Sequence, residues 1–135
     1  MGTFKDDAEV YKYIGGVFES GLADPDVGPK LKGSGVVLQI TYTDPDSIVT
    51  VDMPSGDVHT GESSLTPHVE LFMSADTGNR FWLGKVNLSV AMARGQVRAK
   101  GPVSKILKLV PAAKSLFPAY EAMLERDGRA DLLKA

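Results

Sequence analysis

The chain has 135 residues, 43% apolar and 24% charged, which suits one globular domain and argues against intrinsic disorder. It contains no cysteine, which excludes disulfides, thiolate nucleophiles and cysteine-ligated metals and fits a reducing cytoplasm. A formal charge of −2 offers no basic footprint for nucleic acid, and no apolar run approaches the ~20 residues that span a bilayer.

The N-terminus has no apolar run of signal-peptide type, and Asp6 stands where a myristoylation motif at Gly2 wants Ser or Thr. A soluble, cytoplasmic protein is expected. Val10, Tyr13, Ile14, Val17, Phe18 and Leu22 recur with helical period, so the first element is an amphipathic helix with Thr3 as its N-cap. Gly15-Gly16 inside it costs helix stability and is best explained by close packing on a neighbour. Gly21 and Asp24-Pro25-Asp26 end the helix, and residues 24–35 read as loop.

Alternation then takes over. Val36, Leu38, Ile40 and Tyr42 share one face of a strand, and Asp44-Pro45-Asp46-Ser47 predicts a type I turn. Residues 48–53 form a second strand with Val49, Val51 and Met53 on one face, and residues 57–62 form a polar, edge-like third. Residues 69–73 are a fourth strand, followed by a helix capped at Ser74 that carries Phe81-Trp82-Leu83 and stops at Gly84. Asn87 caps a shorter helix closed by Gly95. Residues 96–100 are a fifth strand in which Val97 and Ala99 oppose Gln96, Arg98 and Lys100. A helix is predicted over 102–110, Pro111 starts another, and Pro118 should kink or divide that last element. The fold class is α+β, a mostly antiparallel sheet with helices on one face, in one domain spanning 1–135.

Catalytic signatures are sparse. His59 and His68 are nine apart and lack helical ligand spacing, so both read as ordinary polar residues and not as a base or metal ligand. The two Asp-Pro-Asp triplets lack the further oxygen ligands of a calcium loop and read as turns. Gly33-Ser34-Gly35 precedes a strand, the wrong order for a nucleotide fingerprint. A small isomerase-like enzyme on a curved sheet is the one enzymatic alternative, and its long C-terminal strands are missing here. Neither a cofactor nor a metal is expected.

The second half is rich in large apolar side chains on short, glycine-punctuated helices, and composition alone does not separate a filled core from a lined cavity. The stretch 69–76, then Phe81-Trp82-Leu83-Gly84-Lys85, then residues 93–101 ending in Gly101, resembles the sterol carrier protein type-2 family. Leu31-Lys32-Gly33 and the turn at residues 43–46 fit the same pattern, and the resemblance runs from about Phe4 to Leu124. It implies a five-stranded sheet, helices over one face, and an apolar tunnel for a sterol, fatty acid, fatty acyl-CoA or similar lipid.

The implied ligand contacts are Ile14, Phe18, Phe72, Phe81, Trp82, Met92, Leu107, Val110, Phe117, Tyr120, Met123 and Leu124, with the last helix closing the tunnel. Arg80, Lys105, Lys108 or Lys114 would meet a polar head at the mouth. The implied function is binding and transfer without catalysis. The alternative is an accessory protein that presents a hydrophobic intermediate to a partner enzyme. The expected partners are therefore a lipid-like small molecule and, on the alternative, that enzyme, with at most transient membrane contact and no nucleic acid; the oligomeric state is left open. The C-terminal Leu133-Lys134-Ala135 is not a Ser-Lys-Leu-type peroxisomal address. A sixteen-carbon chain offers a gross ~12 kcal/mol on burial, and association takes back roughly 4–15 kcal/mol, so weak to micromolar binding is expected.

Overall fold

The computed structural model describes residues 3–135; Met1 and Gly2, and with them the myristoylation question, lie outside the described residues. Three strands, β1 (Val37–Thr43), β2 (Ser47–Asp52) and β3 (Asp57–Thr60), form an antiparallel meander. The chain then crosses to β4 (Val69–Ser74), which runs parallel to β1, and β5 (Arg98–Lys100) pairs antiparallel with β4. The sheet order is β3-β2-β1-β4-β5. Register places Leu38, Ile40 and Tyr42 beside Val49 and Val51 on one side and Leu71 and Met73 on the other, all on one face. That face is the core, and each large side chain buried there is worth ~1.5–3 kcal/mol. The opposite face carries Gln39, Thr41, Thr50, Glu70 and Phe72 and is mostly polar.

The first helix, α1, covers residues 7–23; it is α-helical over Asp7–Val10 and Gly16–Ala23, with a π-helical segment, Tyr11–Gly15, between them. Val10, Tyr13, Ile14, Val17, Phe18 and Leu22 are all buried, as their spacing requires. The cap differs from the expected one. Asp6 accepts from the Glu9 N–H at 3.1 Å, while the Thr3 N–H and hydroxyl both donate to Asp76 Oδ1, at 2.9 and 2.8 Å. Thr3 therefore ties the N-terminal segment to a later helix. The Gly15-Gly16 pair does serve close packing: a Cβ at Gly15 would lie 3.7 Å from Thr60, and one at Gly16 3.4 Å from the Met123 sulfur.

Residues 24–35 are not a loop, because they contain α2 (Val27–Gly33). The Asp24 carboxylate accepts from the N–H groups of Asp26 and Val27, at 2.8 and 2.9 Å, and Pro29 sits in the first turn, where its missing N–H costs nothing. Val27 and Leu31, one turn apart, bury the inner side of this helix. At Asp44-Pro45 the peptide is cis, with Asp44 at φ 56°, in place of the type I turn expected from the sequence.

After β4 come α3 (Ala75–Trp82), capped by Ser74 on the Thr77 N–H, and α4 (Leu88–Ala93), capped by Asn87 on the Val90 N–H. Both follow the expected boundaries, and Gly84 and Gly95 end them at positive φ. The fifth strand is shorter than expected and lies at the sheet edge, so Ala99 is exposed and only Val97, just before it, is buried.

The helix predicted over 102–110 is interrupted. It resolves into α5 (Ser104–Leu107) and α6 (Val110–Lys114), and α7 (Phe117–Arg126) follows. Pro111 and Pro118 each occupy the first turn of a new helix, so Pro118 does divide the final stretch. A last helix, α8 (Ala130–Leu133), has no counterpart in the expected elements and buries Leu132 completely.

Candidate functional site

The two halves of the helix-covered face differ. Over β2 and β3, α1 packs directly on the sheet, and Val10, Ile14, Val17, Val49 and Val51 are fully enclosed. Over β1, β4 and the entry to β5 the cover consists of the short helices α3 to α6. Short helices meeting at turns tile a sheet less completely than one long helix, and here they leave an apolar cavity of about 70 Å³. Its floor is Leu38, Ile40, Tyr42, Leu71, Met73 and Val97 from the sheet. Its roof is Phe81 and Trp82 of α3, Leu88 of α4, Ile106 of α5, and Leu109, Val110, Ala113 and Leu116 in and around α6. Tyr42, Thr77 and Trp82 are the only side chains in this wall that bear an oxygen or nitrogen, and so apolar a lining disfavours water.

An open depression of about 510 Å³ lies against the cavity and shares Phe81, Val86, Leu88 and Val110 with it. Lys85, Asn87, Ser89 and Lys114 supply its polar rim. This arrangement has an apolar interior and a cationic vestibule, with these four side chains common to both walls.

Of the twelve expected contacts, Phe18, Phe81, Trp82 and Val110 line the cavity. Leu107 and Phe117 border the vestibule instead. Ile14, Tyr120 and Leu124 are fully buried elsewhere in the core, and Met123 rests against the backbone of α1 at Gly16. Phe72 and Met92 border another open depression, of about 470 Å³, where the Arg98 and Lys100 side chains lie 5.5 and 5.3 Å from the Phe72 ring. Strand alternation dictates this, since Leu71 and Met73 point inward and Phe72 must then point out. The cover over the cavity is α5 and α6, not the long C-terminal helix. Among the mouth cations, Lys114 borders the vestibule; Arg80, Lys105 and Lys108 are exposed and border neither space.

Trp82 is the hub of an aromatic cluster. Phe18 and Phe81 meet it edge to face with centroids 5.2 Å away, and Phe117 does so at 6.1 Å. Such pairs each add ~0.5–1.5 kcal/mol beyond burial. Behind them, the Tyr120 hydroxyl donates to Asn79 Oδ1 at 2.6 Å, and Asn79 Nδ2 donates to the Leu132 carbonyl at 3.0 Å. Burial pushes the hydroxyls of both Tyr42 and Tyr120 well above the ordinary tyrosine range, so both stay protonated. His68 Nδ1 accepts from the Val37 N–H at 2.9 Å and His59 is exposed on β3, so each histidine sits on the sheet as a polar residue. Among the described residues no group of three or more His, Asp or Glu is placed to hold a metal ion.

No protein-family model matches the chain, and no curated protein matches its sequence. Solved structures do match. The sterol carrier protein domain 2 of Helicoverpa armigera superposes with a TM-score of 0.68 at 18% identity, covering 83% of this chain and 93% of its own. A UbiJ-SCP2 ubiquinone synthesis protein gives 0.61 at 15% identity, over 86% of this chain and 95% of its own. Sterol carrier protein 2 of Aedes aegypti, solved in complex with the C16 fatty acid palmitate, gives 0.56 at 20% identity, over 81% and 94%. A five-stranded, mostly antiparallel sheet with helices over one face thus agrees with the architecture the sequence suggested, and the chain has the fold of the sterol carrier protein type-2 domains.

Proposed function

We propose that residues 1–135 form one lipid-binding domain that takes up a hydrophobic ligand between the sheet and α3–α6 and passes it on without chemistry of its own. The observation that carries this reading is the apolar cavity walled by Phe81, Trp82 and Val110 beside a cationic vestibule. The palmitate complex of the Aedes aegypti protein of the same fold supports an acyl chain as one class of cargo. A sterol or a fatty acyl-CoA is equally compatible with an apolar wall, and the lysines of the rim suit an acidic head.

The cavity of about 70 Å³ is far smaller than the ~300–1,000 Å³ of ordinary ligand pockets. Uptake therefore requires α5 and α6 to swing away from β4, carrying Leu109 and Val110 outward and merging cavity with vestibule. These two helices span only four and five residues and meet at a turn, so few hydrogen bonds oppose the movement. The likeness to a UbiJ-SCP2 ubiquinone synthesis protein favours a second reading, in which the same cavity holds a hydrophobic intermediate for a partner enzyme. A cytoplasmic setting belongs to the proposal and is supported by the absence of cysteine.

Titration of delipidated protein with palmitate tests the reading. Trp82 is the sole tryptophan and lines the cavity, so its emission is expected to shift as the pocket fills. Ligand at a hundredfold excess over Kd should also stabilise the fold by about 2.7 kcal/mol in a denaturation curve. A protein that takes up no fatty acid, acyl-CoA or sterol probe, with emission and melting unchanged, would end the carrier proposal.

A further inference from the structure

The two edges of the sheet differ. At one, α1 packs close along β3, with Gly15 against Thr60. At the other, β5 pairs with β4 alone: Glu70 opposes Lys100, Leu71 opposes Ala99 and Phe72 opposes Arg98. Backbone groups point to alternate sides along a strand, so β5 turns some of its N–H and C=O groups away from β4. Among the described residues no backbone hydrogen bond outside that ladder involves Arg98, Ala99 or Lys100, and all three are exposed.

The side chains at this edge favour one class of occupant. Arg98 and Lys100 lie on the same face as Phe72, 5.5 and 5.3 Å from its ring. Neither is in an ion pair among the described residues, although Glu70 stands opposite Lys100 in the ladder. Val97 and Ala99 alternate with them, and together with Met92 they give the adjoining depression its aliphatic part. A strand laid along β5 therefore meets a cation, a methyl group and a cation at successive positions. Unlike charges across a strand pair attract and like charges repel. A second β5 laid alongside, in either direction, would set cation against cation, which disfavours another copy of this chain at this edge.

We propose that β5 is a docking edge for an extended acidic segment of a partner protein. The segment adds as a sixth strand, with carboxylates facing Arg98 and Lys100 and an apolar residue between them beside Ala99. Backbone hydrogen bonds hold it, and the two cations select it and set its register. The depression shares no residue with the vestibule, so a docked segment leaves that mouth open. Docking requires no cargo and is tested on ligand-free protein, so its failure leaves the carrier reading standing.

Fluorescence anisotropy with labelled peptides tests this. Thr-Glu-Val-Glu-Val-Glu-Thr is expected to bind, and to bind more weakly as salt rises. Thr-Lys-Val-Lys-Val-Lys-Thr is expected not to bind. Thr-Glu-Pro-Glu-Pro-Glu-Thr keeps the charge but lacks two N–H groups for a ladder, and should bind on the order of 10-fold more weakly. The double variant Arg98→Glu, Lys100→Glu should weaken the first peptide on the order of 10-fold. The control Lys30→Glu, Lys134→Glu changes net charge equally on exposed residues elsewhere and should retain binding. An unchanged thermal melt confirms that each variant is folded, and the peptide series stands on the unaltered protein. Equal binding of the proline peptide, or equal loss in the two variants, would overturn the proposal. So would absence of binding by the first peptide at low salt. Self-association of the free protein that the Arg98→Glu, Lys100→Glu variant abolishes would also overturn it, by giving the edge to a second copy.

Discussion

The Tyr120 hydroxyl and the Asn79 amide form a short buried chain of hydrogen bonds that ends on the Leu132 carbonyl. It joins α3, α7 and α8 behind the aromatic cluster, where water cannot replace a lost partner. Tyr120→Phe leaves Asn79 Oδ1 buried and unpaired, so a loss of about 1–3 kcal/mol is expected in urea denaturation. Gly78 is a second such position, since a Cβ there would stand 2.7 Å from the Tyr42 ring and 3.2 Å from Ile14 Cδ1. Gly78→Ala should cost about 1–3 kcal/mol through overpacking, read from the same denaturation curves. Neither residue was legible in the sequence. A mid-helix Asn or Gly acquires its meaning from a partner far along the chain, and no periodicity marks it. Trp82 and Phe81 were legible, because large aromatics at the end of a capped helix must be buried somewhere. Phe72 lies outside the cavity for a simple reason: its neighbours Leu71 and Met73 own the inward face.

Between elements, the first helix and the last are held together by charge. Arg129 contacts Glu9 at 2.7 Å and Asp131 at 2.9 Å, while Asp127 accepts from the Tyr13 hydroxyl at 2.9 Å and pairs with Lys12 at 3.0 Å. Hydrogen bonds from Lys12 and then Tyr13 hold the Asp127 carboxyl below its ordinary value, and Arg129 does the same for Asp131. For Glu9, burial pulls upward, but the Lys5 N–H and the Arg129 guanidinium outweigh it and the net shift is down. Carboxylates with lowered values stabilise the fold above the ordinary carboxylate range and lose that contribution as the pH falls through them. The melting temperature should therefore hold through mildly acidic pH and drop as these groups protonate. Glu9→Gln should shallow that acid slope; an unchanged slope would remove the Glu9–Arg129 pair from the account.

The α1 stripe, the β1 and β2 alternation and the caps at Ser74 and Asn87 could all be read directly, because each is a local pattern several residues long. The α2 and α8 helices could not. They are seven and four residues long, too short for a periodic signal, and depend on tertiary burial of Val27 and Leu132.

Taken whole, the molecule is solid on one side and hollow on the other, and the same sheet serves both. Its architecture was accessible from the order of elements, since glycine spacing and alternation report topology. The position of the hollow was accessible only in part, because which apolar residues leave a gap depends on how Leu109, Ala113 and Leu116 meet the sheet across three short elements. That gap has a mechanical consequence. Apolar volume that side chains leave unfilled disappears on unfolding, so hydrostatic pressure should act on this protein as a denaturant directed at its hollow side. Ala113→Leu places a larger side chain against the void and should raise the pressure at which Trp82 fluorescence reports unfolding. If the midpoint pressure stays where it was, the compressible element of the fold lies elsewhere. If it rises, the space proposed for a cargo is also the point at which the empty protein yields under load.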